Sequence, residues 1–151
     1  MKKTFLLVVL LGLMSLPSMA QTVSGSISNG RVSKGKTVRG VVTLNIPKGL
    51  HVNSYKPNSK YAVPTTVTLT SPDGRVYGLT YPAGKSKKFG FSDSPISVYE
   101  NRASFGFKFA VPSRYSRKTV RVKAVVRYQA CTDEVCYAPK SKTIWITAVV
   151  R

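Results

Sequence analysis

The stretch Val120-Arg121-Val122-Lys123-Ala124-Val125-Val126-Arg127-Tyr128 decides the fold. Its residues at 120, 122, 124, 126 and 128 are apolar or aromatic, and they alternate with Arg121, Lys123, Val125 and Arg127. Successive side chains of a strand point to opposite faces, so this period of two marks a strand with one face in a core and the other in water. If the strand runs on unbroken, its inward set extends to Ala130, and Cys131 falls on the outward face with Arg127 and Gln129. A bulge in between would reverse that parity.

The same alternation recurs on either side. Val38, Gly40, Val42, Leu44 and Ile46 alternate with Arg39, Val41, Thr43 and Asn45. Val67 and Leu69 alternate with Thr66, Thr68 and Thr70, and Phe105, Phe107, Phe109 and Val111 with Ser104, Gly106, Lys108 and Ala110. Ile144, Ile146, Ala148 and Val150 close the chain. Ser71-Pro72-Asp73-Gly74 reads as a turn, because proline presets φ and glycine accepts a positive one. Val76 to Thr80 resumes as a strand that Tyr81-Pro82-Ala83-Gly84 breaks. No window repeats apolar residues at i, i+3, i+4 and i+7 over three turns, so almost no helix is expected. Many short strands with frequent turns predict an all-β chain, an immunoglobulin-like antiparallel β-sandwich. There is no internal repeat and no linker.

With 151 residues the chain suits one domain with one modest core. Twenty-four Lys and Arg against five Asp and Glu give a formal net charge of +19. The hydrophobic fraction of 42% is that of a folded protein rather than a basic tail. Two cysteines and one histidine exclude a disulfide-dense scaffold and a four-ligand Cys/His zinc site, and five carboxylates leave little material for paired-acid catalysis. His51, Cys131 and Cys136 together lack a fourth ligand, and no Gly-x-Ser-x-Gly elbow is present for a serine hydrolase. No metal and no cofactor is expected.

Residues 1–20 read as a secretory signal peptide. Lys2 and Lys3 form a positive start, and Phe5 to Leu13 is an apolar run too short to span a membrane, which takes about twenty residues. Ser18 and Ala20 occupy the small-residue positions of a cleavage site, and no cysteine follows for a lipid anchor. Residues 21–151 then form a single exported domain, expected in the periplasm or secreted. Export argues against a nucleic-acid partner, and no nucleic-acid-binding signature is present. The excess of cations is expected to give a loose association with an anionic envelope surface.

Lys85-Ser86-Lys87-Lys88-Phe89-Gly90-Phe91-Ser92 reads as a long basic loop carrying two aromatics. Such rings tuck into a core edge or cover a site.

Cys131 and Cys136 are separated by Thr132, Asp133, Glu134 and Val135. That spacing cannot join two sheets as an immunoglobulin bridge does; it can only close one tight turn. Closing so small a loop stabilises by roughly 2 kcal/mol in the chain-entropy model, a weak reason for the pair on stability alone. In an oxidising compartment, close-spaced cysteines also suit reversible thiol–disulfide exchange. Asp133 and Glu134 disfavour a thiolate while the basic surroundings favour it, and the two acids form a local patch that would orient a partner. His51, when protonated and near the sulfurs, would stabilise a thiolate; on an edge strand it would be an ordinary surface residue. Tyr128 and Tyr137 flank the pair, either packing the hairpin base or touching a partner. Spacing by itself leaves a structural turn disulfide and an exchange site equally open.

Tyr128-Gln129-Ala130-Cys131-Thr132-Asp133-Glu134-Val135-Cys136-Tyr137-Ala138-Pro139 resembles the redox motif of the N-terminal periplasmic domain of the thiol:disulfide interchange protein DsbD. That family has Tyr-Gln, a small residue, Cys, a short acidic insert, Cys-Tyr, one variable residue and Pro. The Lys142-Thr143-Ile144-Trp145-Ile146 strand, Gly49 to Ser54 and Ser97-Val98-Tyr99 are similar to it as well. The resemblance implies an immunoglobulin-like domain with one redox-active disulfide. It would relay electrons from a membrane electron donor to periplasmic thioredoxin-like or disulfide isomerase proteins. It also implies that Cys136 forms the mixed disulfide, that Cys131 resolves it, and that an aromatic of a cap loop shields the pair, with Phe91 preferred over Phe89. The insert is one residue shorter than in the best-known members, and the cap is rich in lysine where they carry acids. The chain ends at Arg151, so the donor is expected to be a separate protein and the domain a stand-alone monomer. The competing expectation is a non-catalytic exported β-sandwich that binds an envelope partner or anionic polymer.

Overall fold

The computed structural model describes residues 20–151; apart from Ala20, the signal segment expected at the start lies outside the described residues. The strands in chain order are β1 (Thr22–Ile27), β2 (Arg31–Val32), β3 (Thr37–Asn45), β4 (His51–Asn53), β5 (Thr66–Thr70), β6 (Arg75–Thr80), β7 (Lys85–Lys87), β8 (Ile96–Glu100), β9 (Arg102–Ala110), β10 (Thr119–Tyr128), β11 (Ala130–Cys131) and β12 (Lys140–Val150). A 3-10 turn at Ser28–Gly30 is the one helical element among the described residues.

Two four-stranded sheets, β1-β3-β9-β6 and β2-β12-β10-β5, supply the faces of an immunoglobulin-like sandwich. Pairing is antiparallel except where the two residues of β2 run parallel to the end of β12, so the sandwich is mixed at that edge rather than wholly antiparallel. The alternation in sequence is the alternation in space. Val120, Val122, Ala124, Val126 and Tyr128 of β10 are all buried, while Arg121 and Arg127 are exposed. Against them pack Val42 and Leu44 of β3, Phe105, Phe107 and Phe109 of β9, and Ile146 and Ala148 of β12. Burying each large side chain of this set contributes roughly 1.5–3 kcal/mol. Gly40 sits on that inward face because its place is taken: a Cβ there would stand 2.2 Å from the ring of Phe107, its partner across the β3–β9 pair.

A third sheet, β11-β4-β8-β7, carries the cysteine region. It has a small core of its own in Phe89, Ile96 and Val98. Its buried polar groups are paired, as buried polar groups must be: Asn53 donates to the Val63 carbonyl at 3.0 Å, and the Thr65 hydroxyl to the Asn53 carbonyl at 2.6 Å.

Two local expectations change. β10 ends at Tyr128; the chain breaks at Gln129 and re-forms as β11, which pairs with β4 of the third sheet instead of continuing in the second. Ala130 and Cys131 are therefore both buried, and Cys131 does not lie on the outward face. The basic segment from Lys85 is also not loop throughout: Lys85–Lys87 forms β7, paired with β8, and only the residues after it turn.

Candidate functional site

The change of sheet at Gln129 builds the site. Cys131 enters the third sheet with its backbone paired to His51 of β4, and the chain then folds back so that Cys136 bridges to Cys131. The two are joined as a disulfide with Cα atoms 4.0 Å apart. The intervening turn is closed by its own hydrogen bonds. The Thr132 amide donates to the Val135 carbonyl at 2.8 Å, and the Thr132 hydroxyl accepts from the amides of Glu134 at 3.2 Å and Val135 at 3.0 Å. At the base the Tyr137 amide donates to the Ala130 carbonyl at 2.9 Å, and the Gln129 side chain to the Tyr137 carbonyl at 3.0 Å. Sequence alone did not single out Thr132 or Gln129 as parts of this frame.

The two sulfurs live in different surroundings. Cys131 is fully buried, with 0% of its surface exposed, whereas Cys136 is exposed. Cys136 opens onto a cleft of about 190 Å³ that it shares with His51, Asn53, Tyr61, Phe91 and Gln129. Of the two cysteines only Cys136 lines this cleft.

Phe89 and Phe91 both reach the site, in different ways. Phe89 is buried and stacks on the His51 imidazole with centroids 4.5 Å apart. Phe91 stacks on the outer side of Phe89 at 5.2 Å, is 53% exposed, and lines the cleft beside Cys136. His51, Phe89 and Phe91 thus form a pile running from the sheet to the solvent.

His51 is not an edge-strand surface residue. β4 lies between β11 and β8, and His51 is 2% exposed. Burial first, then the Lys87 ammonium, lower its pKa from 6.5, and the carboxylates of Asp133 and Glu100 only partly oppose them. Both effects work against the imidazolium expected from the sequence to stabilise a thiolate. Lys87, which the sequence left in a basic loop without a role, lies beside this imidazole and the cysteine turn. Its ammonium lies 3.0 Å from Glu100 and 3.1 Å from Asp133, and 5.4 Å from the centroid of Phe89. Asp133 also lies 4.0 Å from His51. Hydrogen bonds to Glu100 and then Asp133 raise the Lys87 pKa above 10.5. Asp133 is thus bound to a lysine of the cap strand, and the insert between the cysteines is not a free acidic patch. Glu134 stays exposed.

Tyr128 and Tyr137 separate. Tyr128 is 1% exposed and belongs to the main core, where its hydroxyl has no partner. Burial alone raises its pKa above 10. It packs and does not face a partner. Tyr137 is 50% exposed and lines a second groove, beside Leu50, Lys48 and Lys140, on the hairpin. Among the described residues no cluster of three or more His, Cys, Asp or Glu side chains is arranged to hold a metal.

A sandwich that changes sheets to present one buried and one exposed cysteine under an aromatic cap defines an immunoglobulin-like domain with an accessible close-spaced disulfide. The chain belongs to the family described as "Thiol:disulfide interchange protein DsbD, N-terminal", whose pattern matches residues 25–148. No curated protein matches it in sequence. Among solved structures it is similar to the complex between the DsbD N-terminal and PilB N-terminal domains from Neisseria meningitidis, at 17% identity and TM-score 0.52, covering 89% of this chain and 88% of that one. It is also similar to the N-terminal periplasmic domain of ScsB from Proteus mirabilis, at 12% identity and TM-score 0.58, over 83% of this chain but only 45% of the other. The reduced DsbD N-terminal domain from Neisseria meningitidis matches at 19% identity and TM-score 0.45, over 73% of this chain and 80% of that one.

Proposed function

We propose that this chain is a periplasmic thiol–disulfide exchange module, with residues 1–20 a removable export signal and 21–151 its single working domain. The observation that carries the proposal is the unequal exposure of the two sulfurs, Cys131 buried against His51 and Cys136 open to a cleft. In the reduced protein, the Cys136 thiolate attacks a sulfur of the partner's disulfide, forming a mixed disulfide and releasing the partner's first thiolate. Cys131, as thiolate, then attacks Cys136, restores the internal bond and releases the partner's second thiol. Two electrons have passed to the partner. A separate dithiol reductant, of the thioredoxin-like class, returns them by the reverse sequence at the same exposed sulfur. The family membership supports this chemistry, and the Neisseria complex with PilB supports a protein partner. Phe91, stacked on Phe89, borders the cleft at Cys136, and the Lys87–Asp133 pair ties the cap strand to the turn between the cysteines.

The test is a redox titration of the purified protein with a trapping experiment. The pair is expected to equilibrate with periplasmic-type dithiol buffers at a potential above about −300 mV. A Cys131→Ala variant is expected to hold a mixed disulfide through Cys136 with a thioredoxin-like partner. A bond that is reduced only when the fold is opened by denaturant, with no heterodimer trapped, would leave a structural turn disulfide.

A further inference from the structure

The outer face of the β2-β12-β10-β5 sheet has a character unrelated to exchange chemistry. Along β10 the side chains of Arg121, Lys123 and Arg127 stand in one line. Across the register, Lys123 lies opposite Trp145 of β12, and Val149 opposite Arg31 of β2. On the far side the three outward positions of β5 are all threonine, opposite Lys123, Val125 and Arg127. No carboxylate occupies any of these rows. The only acid that touches the face is Asp73, which is buried at one end and already shared by Arg117 and Arg121 at 3.0 and 3.6 Å.

Trp145 is 54% exposed and Val149 49% exposed. The one aromatic partner contact of Trp145 among the described residues is the Arg121 guanidinium, 5.4 Å from its centroid. A sheet face that combines cations, no exposed carboxylate in its rows and a half-exposed tryptophan matches a layer with anionic groups outside and apolar matter just beneath. Indole settles at that boundary, and each cation near an anionic bilayer contributes favourably.

We propose that this face docks the domain on the surface of a bilayer containing anionic phospholipid. The redox hairpin leaves this sheet at Gln129 and pairs with another, so it is not part of the proposed face. The proposal does not depend on the exchange chemistry.

The chain holds a single tryptophan, so its fluorescence reports on this face alone. The experiment mixes the protein lacking the leader with phosphatidylcholine vesicles, with or without phosphatidylglycerol, and follows co-sedimentation and tryptophan emission. Binding to the anionic vesicles only is expected, weakened by salt, with a blue shift of the emission. Lys123→Gln with Arg127→Gln is expected to weaken the partition about 30-fold, from about 1 kcal/mol for each cation. Arg39 and Lys108 face each other on the outside of the opposite sheet and are both exposed. Arg39→Gln with Lys108→Gln removes the same charge there and is expected to change the partition by less than a third of that factor. Circular dichroism and thermal melts of both double variants establish that they are folded. The proposal is overturned by equal binding to both vesicle types, by an unshifted emission, by equal losses in the two double variants, or by binding to heparin without binding to vesicles.

Discussion

Replacing Lys87 by methionine tests how the cap is fastened to the hairpin. Lys87 lies on β7, and its ammonium reaches Asp133 between the cysteines at 3.1 Å and Glu100 on β8 at 3.0 Å. The Asp133 side chain is 71% exposed, so that arm contributes only a few tenths of a kcal/mol of the roughly 0.2–1 kcal/mol found for surface pairs. The Glu100 side chain is 29% exposed and its arm lies at the upper end of the range. Phe89, which the ammonium overlies, is two residues further on the same segment and moves with it. Methionine keeps most of the stem and its packing while removing the two ion pairs, together about 1 kcal/mol in favour of the closed cap. If the disulfide is reached by opening the cap, that loss raises the population of the open form about fivefold. The assay is the pseudo-first-order rate of disulfide reduction by dithiothreitol, which should rise by that factor. Lys87→Arg, which keeps the charge, should stay within about threefold of wild type, since it retains the Coulomb term. The same variant has an independent readout. Lys87 is the second cause, after burial, that lowers the His51 pKa, so its removal should move the imidazole NMR titration upward. An unchanged reduction rate together with an unchanged His51 titration would refute the fastening.

Phe89→Ala and Phe91→Ala should divide stability from access: Phe89 is 3% exposed and its loss should cost about 3 kcal/mol in denaturant melts, whereas Phe91 is 53% exposed and should cost under about 1 kcal/mol while still accelerating reduction. Tyr128→Phe removes a buried hydroxyl that has no partner, so the melting temperature should hold or rise, by up to about 1 kcal/mol in stability, and a clear fall would reveal a partner for it. The pH dependence follows from two opposite shifts. His51 is lowered below 6.5 by folding, so its contribution is complete above that value and is lost as the pH falls below it. Lys87 is raised above 10.5, so its contribution is complete below that value and is lost as the pH rises through the folded pKa. Thermal melts should therefore weaken on acidification through the histidine range, and His51→Gln should flatten that slope.

The sandwich was legible because a strand buried on one face writes its period into the sequence, and Val120 to Tyr128 and Phe105 to Val111 do so without interruption. The turn at Ser71–Gly74 and the break at Tyr81–Gly84 were legible from their prolines and glycines, but neither glycine takes the positive φ expected; Gly74 is needed because a Cβ there would stand 2.4 Å from the Ala110 carbonyl oxygen. The position of Cys131 was not. Parity holds only while a strand keeps its neighbours, and nothing near Gln129 announces that the next two residues pair with β4. Lys87 and His51 failed for a related reason. Their partners lie on other strands, Glu100 thirteen residues from Lys87 and Asp133 farther still, and one more lysine in a basic stretch carries no mark of a specific contact. The cysteine motif pointed to exchange chemistry only through its family resemblance, and the unequal exposure of Cys131 and Cys136 came only with the change of sheet.

The backbone bonds that frame the turn, from Thr132 to Val135 and from Tyr137 to Ala130, do not pass through sulfur. Opening the sulfur bond breaks none of them, which favours keeping the two thiols neighbours at a high effective concentration. On the exchange function proposed above, a partner captured on Cys136 would meet its displacing nucleophile at once. Covalent complexes at this hairpin should be brief, and the domain should hand over its partners quickly rather than store them.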